Sequence, residues 1–165
     1  MLIYNRLRDP YHTLLRFLKI INRFNNKDEI SFDRLRIYDF LLANPQEISK
    51  MRLMKSGKSS FKKYENPYNL YDRNILFYNL ERIQKIAIEH LVKNNILEKM
   101  PHDDIYIMHQ DIIPSALIDL LNNTESISNE ALEFIIKNLN TIDLYREDGL
   151  KDRTNLIGFK YETKN

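Results

Sequence analysis

The stretch RNILFYNLERIQKIAIEHLVKNNILEKMPHDDIYIMH, Arg73 to His109, decides the fold. Leu76, Leu80, Ile83, Ala87 and Leu91 recur at steps of three and four, which lines them along one face of a helix over Asn74–Lys93. Asn94-Asn95 closes that helix, because asparagine tolerates the left-handed conformation of a helix C-terminus. Ile96–Met100 then reads as a strand, Pro101–Asp104 as a turn and Ile105–His109 as the returning strand. A long helix running into a hairpin is the back half of a winged helix, a fold that binds nucleic acid or docks onto proteins more often than it performs chemistry.

The N-terminal side supplies the front half. Asp9 can cap the free N–H groups of a first helix and Pro10 suits its first position. Tyr11, Leu14, Leu15, Leu18 and Ile21 make its apolar face, and the helix is expected to run to about Phe24. Asn25–Asp28 interrupts, Glu29–Ser31 forms a short strand, and Ser31 caps a second helix over Phe32–Ala43. Asn44-Pro45 ends it, and Gln46–Met54 is read as a third helix. Lys55–Asp72 reads as a long loop.

Beyond the hairpin, one helix is expected from Pro114 to about Leu121 and another from Ser128 to about Asn140. Residues 142–165 are polar and weakly patterned, and are read as either holding a short strand at Leu156–Tyr161 or docking onto a partner. The fold class is therefore mainly α with a small β-hairpin: a winged-helix-like domain over residues 1–110, with a basic loop at 50–64, followed by C-terminal helices and a tail over 111–165.

Composition narrows the function. The 165 residues contain no cysteine, which excludes disulfides and thiolate-based metal or redox sites. No apolar run approaches the ~20 residues of a membrane span, and residues 1–6 carry no signal-peptide core, so a cytoplasmic protein without membrane contact is expected. Charge is uneven. Residues 1–64 hold 14 Lys/Arg against 6 Asp/Glu, whereas residues 65–165 hold 11 against 17. A basic front and an acidic back suit a polyanion on one side and a protein surface on the other; chance clustering on solvated faces is the plainer explanation.

The densest positive segment is Lys50 to Tyr64, with six cations (Lys50, Arg52, Lys55, Lys58, Lys62 and Lys63) and no acid. These are the candidate nucleic-acid contacts, since cations meeting phosphates release counterions, and Phe61 and Tyr64 could stack on unpaired bases. A solvated loop, or one paired with an acidic surface, is the competing reading. Gly57-Lys58-Ser59 resembles part of a phosphate-binding loop, but Arg52 stands where that motif needs its first glycine, so no nucleotide site is assigned.

The long helix mixes Glu81, Arg82, Lys85, Glu89 and Lys93 on its polar side, which fits a scaffold better than a groove reader. Ile75, Phe77, Ile86, Ile88 and Val92 lie off the main stripe and imply burial on several sides. His12, His90, His102 and His109 show no zinc spacing, and no nucleophile, catalytic residue, metal site, cofactor pattern or small-molecule substrate is assigned. Two clusters are candidate interface or structural positions: Asp9, His12 and Arg16 on the first helix, and Arg34, Arg36, Asp39 and Phe40 on the second. They read either as caps and surface ion pairs or as a polar network joining the two helices, at a subunit interface in the sharper version.

Tyr4-Asn5 followed by Asp9-Pro10-Tyr11-His12-Thr13-Leu14-Leu15-Arg16, and then Arg34-Leu35-Arg36-Ile37-Tyr38-Asp39-Phe40-Leu41-Leu42, resembles the middle components of bacterial ABC three-component conflict systems. These are similar to the small accessory subunit of Lamassu-type antiphage and antiplasmid defence complexes. The resemblance implies a non-enzymatic subunit that sits with an SMC/Rad50-like ATPase subunit and an effector, commonly a nuclease, and meets DNA directly or through the complex. It maps the family's motif positions onto Asp9, Pro10, Tyr11 and His12 and onto Arg36, Asp39 and Phe40. A stand-alone winged-helix transcription regulator is the alternative.

Overall fold

The computed structural model describes residues 6–53, 57–65 and 72–156. Seven α-helices and three strands are present among them: α1 Pro10–Ile21, β1 Glu29–Ser31, α2 Phe32–Ala43, α3 Gln46–Lys50, α4 Arg73–Lys93, β2 Leu97–Lys99, β3 Ile105–Met108, α5 Ser115–Asn122, α6 Asn129–Leu139 and α7 Leu150–Thr154. Short 3-10 turns occupy Arg6–Arg8, Lys58–Lys63 and Gln110–Ile112. The protein is thus mainly helical with one small antiparallel sheet. Its contacts divide it into two units, Met1–Asp39 with Leu80–Ile127, and Phe40–Asn79 with Ser128–Asn165. The division falls inside α2 and α4, so each of these helices gives one part to each unit.

In the first unit the sheet order is β1-β3-β2, and all pairs are antiparallel. β1 joins the expected hairpin as a third strand, with Ile30 opposite Tyr106. The Lys27 N–H donates to the Met108 carbonyl and the Phe32 N–H to that of Asp104, so the pairing extends past both ends of β1. Phe17, Ile20, Ile21, Leu35, Leu80, Ala87, Leu91, Leu97 and Met108 are buried and form the core of this unit.

Local chemistry sets the helix ends. Asp9 caps α1, accepting from the Tyr11 N–H at 2.7 Å, with Pro10 at the first position. Ser31 Oγ accepts from the Arg34 N–H at the start of α2. At the end of α4, Asn95 has φ 58°, its N–H reaches the Val92 carbonyl, and the Ile96 N–H reaches that of Leu91. This is a Schellman closure, with Ile96 and Leu91 both buried beside it.

The second unit has Phe40, Leu41, Ile48, Phe61, Phe77, Leu132, Ile135 and Leu150 in its core. Asp72 caps α4, accepting from the Asn74 N–H at 2.8 Å. Ser128 caps α6.

Four expectations differ here. The helix read over Gln46–Met54 ends at Lys50, because Met51 turns extended with ψ 146°. That places Met51 and Leu53 inside and leaves Arg52 outside, its N–H donating to the Arg153 carbonyl. The segment read as a loop coils at Lys58–Lys63 to bury Phe61. α7 lies in a stretch read as unpatterned, and the strand read over Leu156–Tyr161 lies outside the described residues apart from Leu156, which is not in a strand. On α4, Phe77 and Ile88 are buried but Ile75 and Ile86 are exposed, so burial is narrower than the composition of that helix implied.

Candidate functional site

The polar residues of α1, α2 and α4 in the first unit meet one another in the core. Thr13 and Arg16 are one turn apart on α1, Arg36 and Asp39 on α2, and Glu81 and Gln84 on α4, so each pair shares a face. Arg16 Nε donates to Asp39 Oδ1 at 2.6 Å and Arg16 Nη2 to Thr13 Oγ1 at 3.1 Å. Gln84 Nε2 donates to Asp39 Oδ2 at 2.8 Å, and Gln84 Oε1 accepts from Arg36 Nε at 2.9 Å. Arg36 Nη1 lies 3.6 Å from Asp33 and from Glu81, and its guanidinium sits 5.6 Å over the Phe32 ring. Glu81 also binds Lys85 at 2.8 Å.

Asp39 and Gln84 are fully buried, and Arg16 and Arg36 nearly so. Burial pulls the Arg36 guanidinium below the usual arginine range, against the pull of Glu81 and Asp33. Charges removed from water in this way are costly unless paired, so the pairing holds three helices in one register.

The sequence candidates separate on this framework. Arg16, Arg36 and Asp39 come together. Asp9 and His12 sit at the start of α1, where the His12 N–H is also directed at Asp9. Arg34 Nη1 donates to Tyr38 Oη at 3.0 Å. Phe40 falls in the second unit, edge-on to Phe77 at 5.6 Å. Sequence reasoning missed Gln84, whose signal was a lone polar residue on the apolar stripe between Leu80 and Ala87.

In the second unit the basic segment is largely engaged with its own surroundings. Lys50 Nζ binds Glu47 at 2.7 Å, and Arg52 Nη2 donates to the Asp152 carbonyl at 2.7 Å. Lys58 Nζ donates to the Met51 carbonyl, and Lys63 Nζ binds Glu130 at 2.8 Å. Lys62 is exposed, and Lys55 lies outside the described residues. Glu130 also accepts from Tyr64 Oη and Ser60 Oγ. These hydrogen bonds, with Lys63 first, hold the Glu130 carboxyl below the usual range, and Glu130 in turn raises Lys63. Phe61 is not available to stack on bases: it is buried, edge-on to Phe134 and stacked on Tyr64.

Glu47, buried beneath this segment, binds Arg73 Nε at 2.7 Å as well as Lys50. Among the described residues no group of three His, Asp or Glu side chains could hold a metal ion, and no helix is long and apolar enough to cross a membrane.

Fold and site together define a small, mainly helical protein with a three-stranded sheet, in which many of the ionic side chains are spent on one another. A family model described as ABC-three component (ABC-3C) system Middle Component 5 matches residues 2–162, and the chain belongs to that family. The assignment gives it a part in a multi-component defence system, with partner components. No curated protein and no solved structure matches it.

Proposed function

We propose that this chain is a non-catalytic accessory subunit that braces the heads of an SMC-like ATPase and helps couple sensing of phage or plasmid DNA to an effector nuclease, as in Lamassu-type systems. The family match over residues 2–162 carries the reading. The first unit supports it. With the segment Phe40–Asn79 set aside, its order is α1, β1, α2, α4, β2, β3, which is the order of a winged helix with β1 added to the hairpin. In the recognition-helix position, α4 turns Gln84 and Glu81 inward to Asp39 and Arg36, which suits a brace better than a reader of bases. The cytoplasm is the expected compartment. DNA contact falls to the basic segment of the second unit, where Arg52 and Lys62 are exposed.

The test is co-purification of the tagged chain with the products of its neighbouring genes, followed by mass determination of the assembly. A stable complex with a coiled-coil ATPase supports the reading. A symmetric dimer of this chain alone, protecting one palindromic DNA site, overturns it in favour of a transcription regulator.

A further inference from the structure

Within the second unit, a cleft of about 480 Å³ opens between the end of α3, the start of α4 and α7. Among the described residues, Lys50, Arg52, Arg73 and Arg153 line it, together with Asp152, Thr154 and Asn155. The four cations come from sites up to 103 positions apart in sequence, so the fold assembles a positive concavity that no single motif displays.

Their anchoring is specific. Arg73 is held by Glu47 through Nε and by the Thr154 carbonyl through Nη1 at 2.8 Å. Arg153 donates from Nε to the Asp148 carbonyl and from Nη2 to the Asp148 carboxylate at 2.8 Å. Its Nη1 reaches the Arg52 carbonyl at 3.4 Å. Arg52 Nη2 is fixed by the Asp152 carbonyl.

These contacts orient the guanidinium groups and leave the cleft one charge positive, four cations against the carboxylates of Glu47, Asp148 and Asp152. Glu47 serves two cations at once, and Arg52 is held by a neutral oxygen. Asp148 answers Arg153, and the Asp152 carboxylate accepts from the Asp148 N–H. The rim is open, with the side chains of Lys50, Arg73 and Arg153 exposed by 46%, 30% and 25%. Oriented guanidinium forks in a concave, partly desolvated wall match the paired oxygens of a phosphate better than a point charge does.

We propose that this cleft is an oxyanion site for phosphate groups, and that its ligand is the sugar-phosphate backbone of a nucleic acid. The proposal rests on the reading that the second unit meets nucleic acid, and not on assembly with an ATPase. It moves the contact from the tip of the basic segment to the cleft behind it. Lys58 and Lys63 are engaged elsewhere, with Met51 and Glu130, whereas Arg52 and Lys50 face the cleft beside Arg73 and Arg153.

The test uses the full chain. Binding of a labelled 20-base-pair duplex is titrated against salt for the parent, for Lys50→Gln with Arg52→Gln, and for Lys62→Gln. The cleft variant is expected to weaken binding roughly tenfold at 0.1 M salt and to lower the log–log salt slope by about two, with Lys62→Gln losing less. In parallel, the Nε–Hε signals of Arg73 and Arg153 in the unaltered chain are followed by NMR as duplex or inorganic phosphate is added, a readout independent of whether a variant folds. Saturable shifts with duplex at micromolar concentration support the proposal. Shifts with inorganic phosphate but no duplex binding keep the oxyanion site and overturn the nucleic-acid ligand, and with it the DNA contact. Duplex binding that leaves both arginine signals unmoved overturns the cleft while the nucleic-acid reading stands. Silence toward both ligands overturns both.

Discussion

Replacing Asp39 by leucine removes the acceptor of Arg16 and of Gln84 at the centre of the first unit. Arg16 is 4% exposed, so its guanidinium is left charged, buried and without its carboxylate. Breaking one side of such a pair costs about 3–5 kcal/mol. Arg16→Met leaves the opposite charge, Asp39, with the Gln84 amide and the nearby Arg36 cation, and costs toward the lower end of that range. The double variant, Arg16→Met with Asp39→Leu, leaves neither charge. It should cost less than the sum of the singles by at least ~2 kcal/mol, what remains being the hydrogen bond that Gln84 loses, ~1 kcal/mol, while its amide keeps the Arg36 carbonyl. In urea unfolding with a slope of about 2 kcal/mol/M, each single variant lowers the midpoint by about 1.5–2.5 M, and the double variant recovers a large part of that. Single costs below ~1 kcal/mol, or a double cost equal to the sum, would refute the claim that the pair acts as one buried unit.

Three further outcomes are expected. An alanine Cβ at Gly149 would lie 2.6 Å from the carbonyl oxygens of both Arg146 and Asp143, so Gly149→Ala should destabilise by about 1–3 kcal/mol; an unchanged melting temperature would show that this turn yields freely. Glu130, held low by Lys63 and Tyr64, contributes stability that is complete above the unfolded carboxylate range and is lost as pH falls through its depressed value, whereas raised Lys63 contributes below the ordinary lysine range and is lost as pH climbs through its raised value. Glu130→Gln should therefore flatten both limbs of the stability–pH curve, and a curve of unchanged shape counts against the pairing. Arg82→Glu with Lys85→Glu should leave the salt slope of duplex binding unaltered, and a fall of about one unit or more would make α4 a DNA-contacting helix.

What the sequence made legible is the chemistry that is local to the chain. The Asp9-Pro10 start of α1, the Ser31 cap and the Asn95 closure each depend on neighbours within five residues, and each stands where the residue types place it. α4 and the hairpin follow from periodicity over a long window. The rest depends on partners far along the chain. Phe61 packs edge-on against Phe134, 73 positions away, so residues 58–63 look like a polar loop until α6 is in place. Beyond the end of α3 the Arg52 N–H donates to the Arg153 carbonyl, and α7 has its partners Arg52 and Arg73 on segments the apolar pattern does not connect. In the polar network, Arg16, Arg36 and Asp39 stood out as charged residues at helical spacing, but Gln84, which joins them, carries no charge to mark it.

The sheet order has a consequence for biosynthesis. β2 and β3 form a hairpin that can close as soon as Met108 is made, but β1 must wait for the same strand, since Ile30 pairs with Tyr106, 76 residues later. At a translation rate of ~5–20 residues per second, the Glu29–Ser31 strand spends roughly 4–15 s on the nascent chain before its partner exists. Throughout that interval the backbone groups of β1 are open to any other extended segment, so synthesis itself exposes a strand that the finished protein pairs.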